Sequence, residues 1–111
     1  MLVVVSPAKS LDMDPVDVAA TTPSFQEDAV RLSKTARNLT LTQLKGLMSI
    51  SDDLARLNRD RFKTFAADPT AEMTKAAALA FNGDTYQGLE AKTLTNSDLA
   101  REQDHLCILS G

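Results

Sequence analysis

The chain has 111 residues, and residues 1–111 are read as a single domain. Hydrophobic residues make up 43% and charged residues 24%, an ordinary globular balance that allows a core. Aromatics are sparse and tryptophan is absent, so that core must be built from Leu, Val, Ile, Met and Ala. Twelve Lys and Arg against fifteen Asp and Glu give a net charge of -3, which excludes a nucleic-acid binder working by bulk positive charge but leaves room for a local basic stripe.

Taken in chain order, Leu2-Val3-Val4-Val5 is a β-branched run ended by Ser6-Pro7 and reads as a buried strand. It is too short for a secretory signal, and no run approaches the roughly 20 apolar residues of a spanning helix, so a cytoplasmic protein without membrane contact is expected. Asp12 to Pro23 lacks periodicity and reads as a loop. Ser24-Phe25-Gln26-Glu27 has the pattern of a capping box and predicts a helix to about Asn38 that buries Phe25, Ala29, Leu32 and Ala36. Thr40-Leu41-Thr42-Gln43 is a second box, opening a short helix through Met48. Ser51 caps a third helix with Asp52 and Asp53 in its first turn, where carboxylates meet the positive end of the helix dipole. A further helix is expected from Pro69 or Thr70 to Ala80, then a turn at Asn82-Gly83-Asp84, a helix opened by Thr95-Asn96-Ser97-Asp98, and a second strand from His105 to Leu109. The resulting class is mixed α/β and helix-rich, with few short strands and about five helices. The chain stops just after an apolar strand-like run, which leads us to expect that it continues in nature and that the piece alone self-associates through an open edge.

Three constellations invite a chemical reading. On a wheel of about 100° per residue, Leu54, Leu57, Phe62 and Phe65 share a face of the third helix with Asn58 and Arg61. A buried guanidinium is costly without a partner, so Arg61 is expected in an ion pair or a water-filled cleft. Arg56, Arg59 and Lys63 lie on the opposite face, spaced to meet successive phosphates or simply to be solvated. Ser49-Ile50-Ser51 joins two short helices, an arrangement that can offer backbone N–H groups to phosphate, although the usual Gly-x-Gly hairpin is missing. Finally, Ser6-Pro7-Ala8-Lys9 follows the first strand, where ligands collect in α/β folds, which makes Lys9 and Asp12 candidate site residues. His105 and Cys107 are two potential ligands on one strand face, fewer than a metal site needs. Cys107 is the only cysteine, so no intrachain disulfide can form, which fits a reducing compartment. No nucleophile–base set, Walker motif or dinucleotide glycine pattern can be assembled, so neither a metal nor a cofactor is expected.

Four segments together resemble the bacterial YaaA peroxide-stress family. Leu2-Val3-Val4-Val5-Ser6-Pro7-Ala8-Lys9-Ser10-Leu11-Asp12 is similar to the opening of its members, which usually have Thr where this chain has Ser10. Leu47-Met48-Ser49-Ile50-Ser51-Asp52-Asp53-Leu54-Ala55, with Leu57-Asn58 and Arg61-Phe62, resembles a second signature. Ala80-Phe81-Asn82-Gly83-Asp84-Thr85-Tyr86-Gln87-Gly88-Leu89 resembles a third, and His105-Leu106 with Leu109-Ser110-Gly111 the start of a fourth. Cys107 departs from the pattern, where a basic residue is common. Members are about twice this length, so the chain is expected to be the N-terminal portion of such a protein.

The resemblance implies a cytoplasmic protein of the hydrogen-peroxide response that binds DNA and limits iron-driven damage. It also implies a mixed α/β fold with a basic cleft and a helix-hairpin-helix-like element, which maps here to Thr40–Phe65. On that mapping the DNA contacts are Lys9, Lys45, Ser49, Ile50, Ser51, Arg56, Arg59 and Arg61, made to the sugar–phosphate backbone without sequence preference. Two other readings stand beside it. One is an enzyme of unknown reaction with a polar cleft around Lys9, Asn58, Arg61 and Tyr86, to which Asp12 and Asp84 would contribute. The other is direct iron binding by His105, Cys107 and scattered carboxylates.

Overall fold

The computed structural model describes residues 1–110; Gly111, the end of the fourth signature, lies outside them. The described residues form a helix-rich α/β structure with one small two-stranded parallel sheet, the class the sequence predicts. The order is β1 (Val3–Val5), α1 (Gln26–Arg37), α2 (Leu41–Met48), α3 (Asp52–Thr64), α4 (Ala77–Ala80), α5 (Asp84–Leu89), α6 (Asn96–His105) and β2 (Leu106–Ile108). The chain divides into two compact units: Thr22–Pro69 forms a helical unit, and Met1–Thr21 joins the chain from Thr70 onward in a sheet-containing unit.

The helical unit is a three-helix packing of α1 and α2 against α3. Its start and stop signals are local. The Thr40 hydroxyl accepts from Gln43 N–H while the Gln43 side chain accepts from Thr40 N–H, closing the expected capping box on α2. Ser51 Oγ accepts from Leu54 N–H at 3.3 Å and caps α3. The expected box on α1 does not form: the helix begins after Phe25, with no side-chain cap. Arg37 supplies a link that the sequence pattern does not reveal. Its guanidinium donates to the carbonyls of Phe62 at 3.0 Å and Phe65 at 2.7 Å, giving partners to the orphan carbonyls at the C-terminus of α3.

The buried faces are rotated from those the wheel predicts. Helix α1 buries Val30 and Ser33, not Phe25 and Leu32, which are 76% and 65% exposed. Helix α3 buries Ala55, while Leu54, Leu57 and Phe65 are exposed and Arg61 faces water instead of needing a buried partner. Small side chains occupy these inner faces because they allow helix backbones to approach closely. Leu44, only 1% exposed, fills the space between them.

In the sheet unit, β1 and β2 pair in parallel, with Val3 opposite Leu106, Val4 opposite Cys107 and Val5 opposite Ile108. The chain then runs back past α4: Leu11 and Phe81 form an antiparallel bridge, Asp12 N–H donates to Ala80 O, and Asn82 N–H donates to Ser10 O. Leu79, Ala80, Tyr86 and Ala91 form the unit's core. The long helix expected before Ala80 is instead a 3₁₀ turn at Ala71–Met73 followed by the single turn of α4. The extended backbone at Thr74 and Ala76 breaks it, and Lys75, between them, is drawn in to pair with Asp12, a tertiary contact overriding local propensity. Thr95 and Asp98 close the predicted box on α6, and His105 ends that helix rather than opening the strand. Nor is β1 the buried strand its valines predict, since Val3 and Val4 are 45% and 50% exposed. No helix among the described residues is long and apolar enough to cross a membrane.

Candidate functional site

The candidate DNA-contacting element is the hairpin α2–Ser49-Ile50-Ser51–α3. It turns because Ser49 adopts a left-handed conformation (φ 53°, ψ 50°), the backbone state that a glycine would normally supply at a helix C-terminus. The N–H groups of Ser49 and Ile50 are already donated to the Lys45 carbonyl, so these two backbone groups close the turn. The donors left over belong to the first turn of α3, where Ser51 Oγ accepts from Leu54 alone. Ser49 and Ser51 are exposed, and Ile50 is half-buried.

Three cations around this turn are paired, Lys45 closely and the two arginines loosely. Lys45 Nζ lies 2.9 Å from Asp52, whose carboxyl it holds below its ordinary range by hydrogen bond and charge. Arg56 reaches Asp53 at 3.8 Å and Arg59 reaches Asp60 at 3.7 Å, at the outer limit of an ion pair. The Arg59 Nε–H is buried and makes no hydrogen bond. Among the described residues, Arg61 and Lys63 have no carboxylate partner. Exposed pairs of this kind contribute little and exchange readily for other anions. The helical unit holds eight Lys and Arg against six Asp and Glu, a net charge of +2. The sheet unit holds four against nine, a net charge of -5. The acidity of the whole chain therefore belongs to one unit.

The sheet unit has a site of a different kind. Where β1 ends, Ser6, Pro7, Ala8 and Lys9 face Gly83 to Tyr86 across a shallow cleft of about 390 Å³. Two contacts hold the walls together. The buried Tyr86 hydroxyl donates to the Ser6 carbonyl, and burial raises its pKa above the ordinary value. Gly83 lies so close to Ala8 that an added Cβ would sit 3.0 Å from the Ala8 methyl. The glycine of the Asn-Gly-Asp segment is thus favoured by close approach, since a side chain there would have to push the Ala8 methyl aside; its φ of -128° suits other residues. Lys9 has no ion-pair partner among the described residues. The cleft brings Lys9, Asp84 and Tyr86 together as the enzymatic reading expects, but Asn58 and Arg61 belong to α3 of the other unit, and Asn58 donates to the Leu54 carbonyl at 2.8 Å.

Asp12 stands apart from this cleft in a lysine clamp. Lys75 Nζ, its side chain 2% exposed, donates to the Asp12 carbonyl at 2.7 Å and lies 3.5 Å from Oδ1, while Lys92 Nζ lies 3.1 Å from Oδ2. The Asp14 N–H donates to the carboxylate, and this bond first, then the Lys92 hydrogen bond and the charge of both lysines, hold the Asp12 pKa down at about 2. The sequence marks Asp12 but neither lysine, because partners 63 and 80 residues away leave no local signal. No group of three or more His, Cys, Asp and Glu among the described residues is arranged to hold a metal ion. His105 Nδ1 lies 3.1 Å from the Met1 carbonyl, and Cys107 is half-buried in β2.

Comparison with known proteins follows the same residues. The family model described as peroxide stress protein YaaA matches residues 1–111. A UPF0246 protein of Roseobacter denitrificans is 69% identical over all 111 residues of this chain, which cover 43% of that protein. Another from Ruegeria pomeroyi is 66% identical with the same coverage, and one from Maricaulis maris is 52% identical with 42% of its length covered. The chain thus spans less than half the length of the curated relatives it matches.

Proposed function

Because this chain belongs to the peroxide stress protein YaaA family, we propose that the whole protein works in the cytoplasm during peroxide stress by binding DNA and limiting iron-driven damage to it. The helical unit carries the contact. The observation behind this reading is the concentration of positive charge in residues 22–69 of an otherwise acidic chain, with arginines flanking an exposed turn. Phosphate oxygens compete for Arg56 and Arg59 because their present carboxylate partners are distant and solvated. Lys45 and Arg61 add charge, and the free donors at the start of α3 contribute at the turn itself. Asp52 and Asp53 oppose an anion there, which limits the strength of the contact and favours recognition of backbone shape over sequence. Held near DNA, such a protein would screen the helix from radicals made where ferrous iron meets peroxide.

The test is a mobility-shift titration of duplex DNA with the protein and with its Arg56→Ala plus Arg59→Ala form. Loss of most of the affinity supports the mapping; unchanged affinity removes it. The cleft at the end of β1 favours a second reading, an enzyme of unrecognised reaction using Lys9 and Tyr86. Under that reading Lys9→Met abolishes turnover or small-ligand binding while leaving DNA affinity unaltered.

A further inference from the structure

We infer that β1 and β2 are two strands of a larger sheet, completed by the polypeptide that follows the matched region in the longer relatives. In a parallel pair, opposed residues share a face, so Val4 and Cys107 point one way while Val3, Leu106, Val5 and Ile108 point the other. Parallel sheets are normally covered on both faces, and a two-stranded sheet is marginal alone. Here neither face is closed: Val3 on one side and Val4 on the other are each about half exposed, and each strand has a free outer edge among the described residues. Beside Val3 runs an open groove of about 530 Å³, with Met1, Val3 and Leu94 as its apolar part and Arg101 and His105 of α6 at its side.

The matched region is the N-terminal 43% of the relatives, so the larger part of their length lies beyond it. That is enough chain to supply further strands along a free edge and helices over both faces, as the β-branched run of β1 requires. A second copy of this chain would instead pair edge to edge and leave the two faces open, which is why the occupant is assigned to the rest of the polypeptide. This inference is independent of the DNA-binding reading.

Peptide-resolved labelling of Cys107 and amide exchange at Val3–Val5 and Leu106–Ile108 test it. Both are measured on the 111-residue chain and on the same chain continued by the following segment of the Roseobacter denitrificans protein, and amide exchange alone on that intact protein at the aligned strands. Both rates should fall roughly tenfold or more wherever the following segment is present. Val4→Lys in the continued chain should restore fast labelling and Val4→Ile should not, with α1–α3 amides reporting that each variant is folded. Equal rates with and without the segment, in the chimera and the intact relative alike, would overturn the assignment. Protection in the 111-residue chain alone that rises with concentration, together with a dimer in sedimentation, would overturn it in favour of a second copy.

Discussion

The helical unit carries eight cations against six carboxylates, whereas the sheet unit carries four against nine. The two also use their charges differently. In the sheet unit Lys75 and Lys92 converge on one carboxylate, Asp12, and one of the two lysines is buried. Around α3 the pairs lie on the surface, and those of Arg56 and Arg59 are long. Charge in one unit fastens a loop; in the other it stays available to a partner. A net charge summed over the chain hides this division, and the sum alone argues against the nucleic-acid contact proposed for the helical unit.

Substitutions in each unit test this difference. The largest effect is expected from Leu44→Ala, which empties the centre of the helical unit and should cost about 2–5 kcal/mol. In hydrogen exchange, protection should fall across α1–α3 while the amides of Asp12 and Asn82 stay protected; equal loss in both places would make the two units one cooperative body. Next, each unit has one capping box, so Thr40→Ala and Thr95→Ala should each cost about 1 kcal/mol in urea unfolding. Ser49→Gly should stabilise the hairpin by up to about 1 kcal/mol, because serine is held in a left-handed conformation there; destabilisation would mean that the Ser49 side chain does something unseen.

The smallest effect is acidic. Asp12 is held at about 2, below the ordinary 3.8, so its contribution is full above pH 3.8 and is lost as the pH falls towards 2. The sheet unit should therefore weaken across that interval, and Lys92→Met, which removes the side-chain hydrogen bond to the carboxylate, should flatten the dependence. An acid-unfolding curve unchanged by Lys92→Met would show that the clamp does not hold the unit.

What the sequence reveals is mostly local. Capping chemistry places α2, α3 and α6, where the Thr40, Ser51 and Thr95 hydroxyls accept the backbone N–H three residues on, whereas the same pattern at Ser24 forms no cap on α1. Facing is harder to read. Periodicity marks Phe25, Leu32, Leu54 and Leu57 as apolar stripes, yet all four are exposed and smaller residues fill the interior. Those stripes, like Val3 and Val4, show what a sequence is prepared to bury, which can differ from what these 111 residues bury. The β1 end loop and the Asn-Gly-Asp segment are each visible as motifs, but their meeting at Ala8 and Gly83 is not, since nothing in either segment encodes a contact with a partner so distant in sequence. Arg37 is overlooked for the same reason: its acceptors are carbonyls 25 and 28 residues away.

If the helical unit makes the DNA contact, the salt dependence of binding must report its cations and not those of the sheet unit. Removing two cations from α3, by Arg56→Ala plus Arg59→Ala, should reduce the slope of log affinity against log salt by about 1.8, since each phosphate contact on duplex DNA contributes about 0.9. Removing two from the sheet unit, by Lys92→Ala plus Arg101→Ala, should leave the slope unchanged. Equal reductions from both pairs, or none from the α3 pair, would contradict the account.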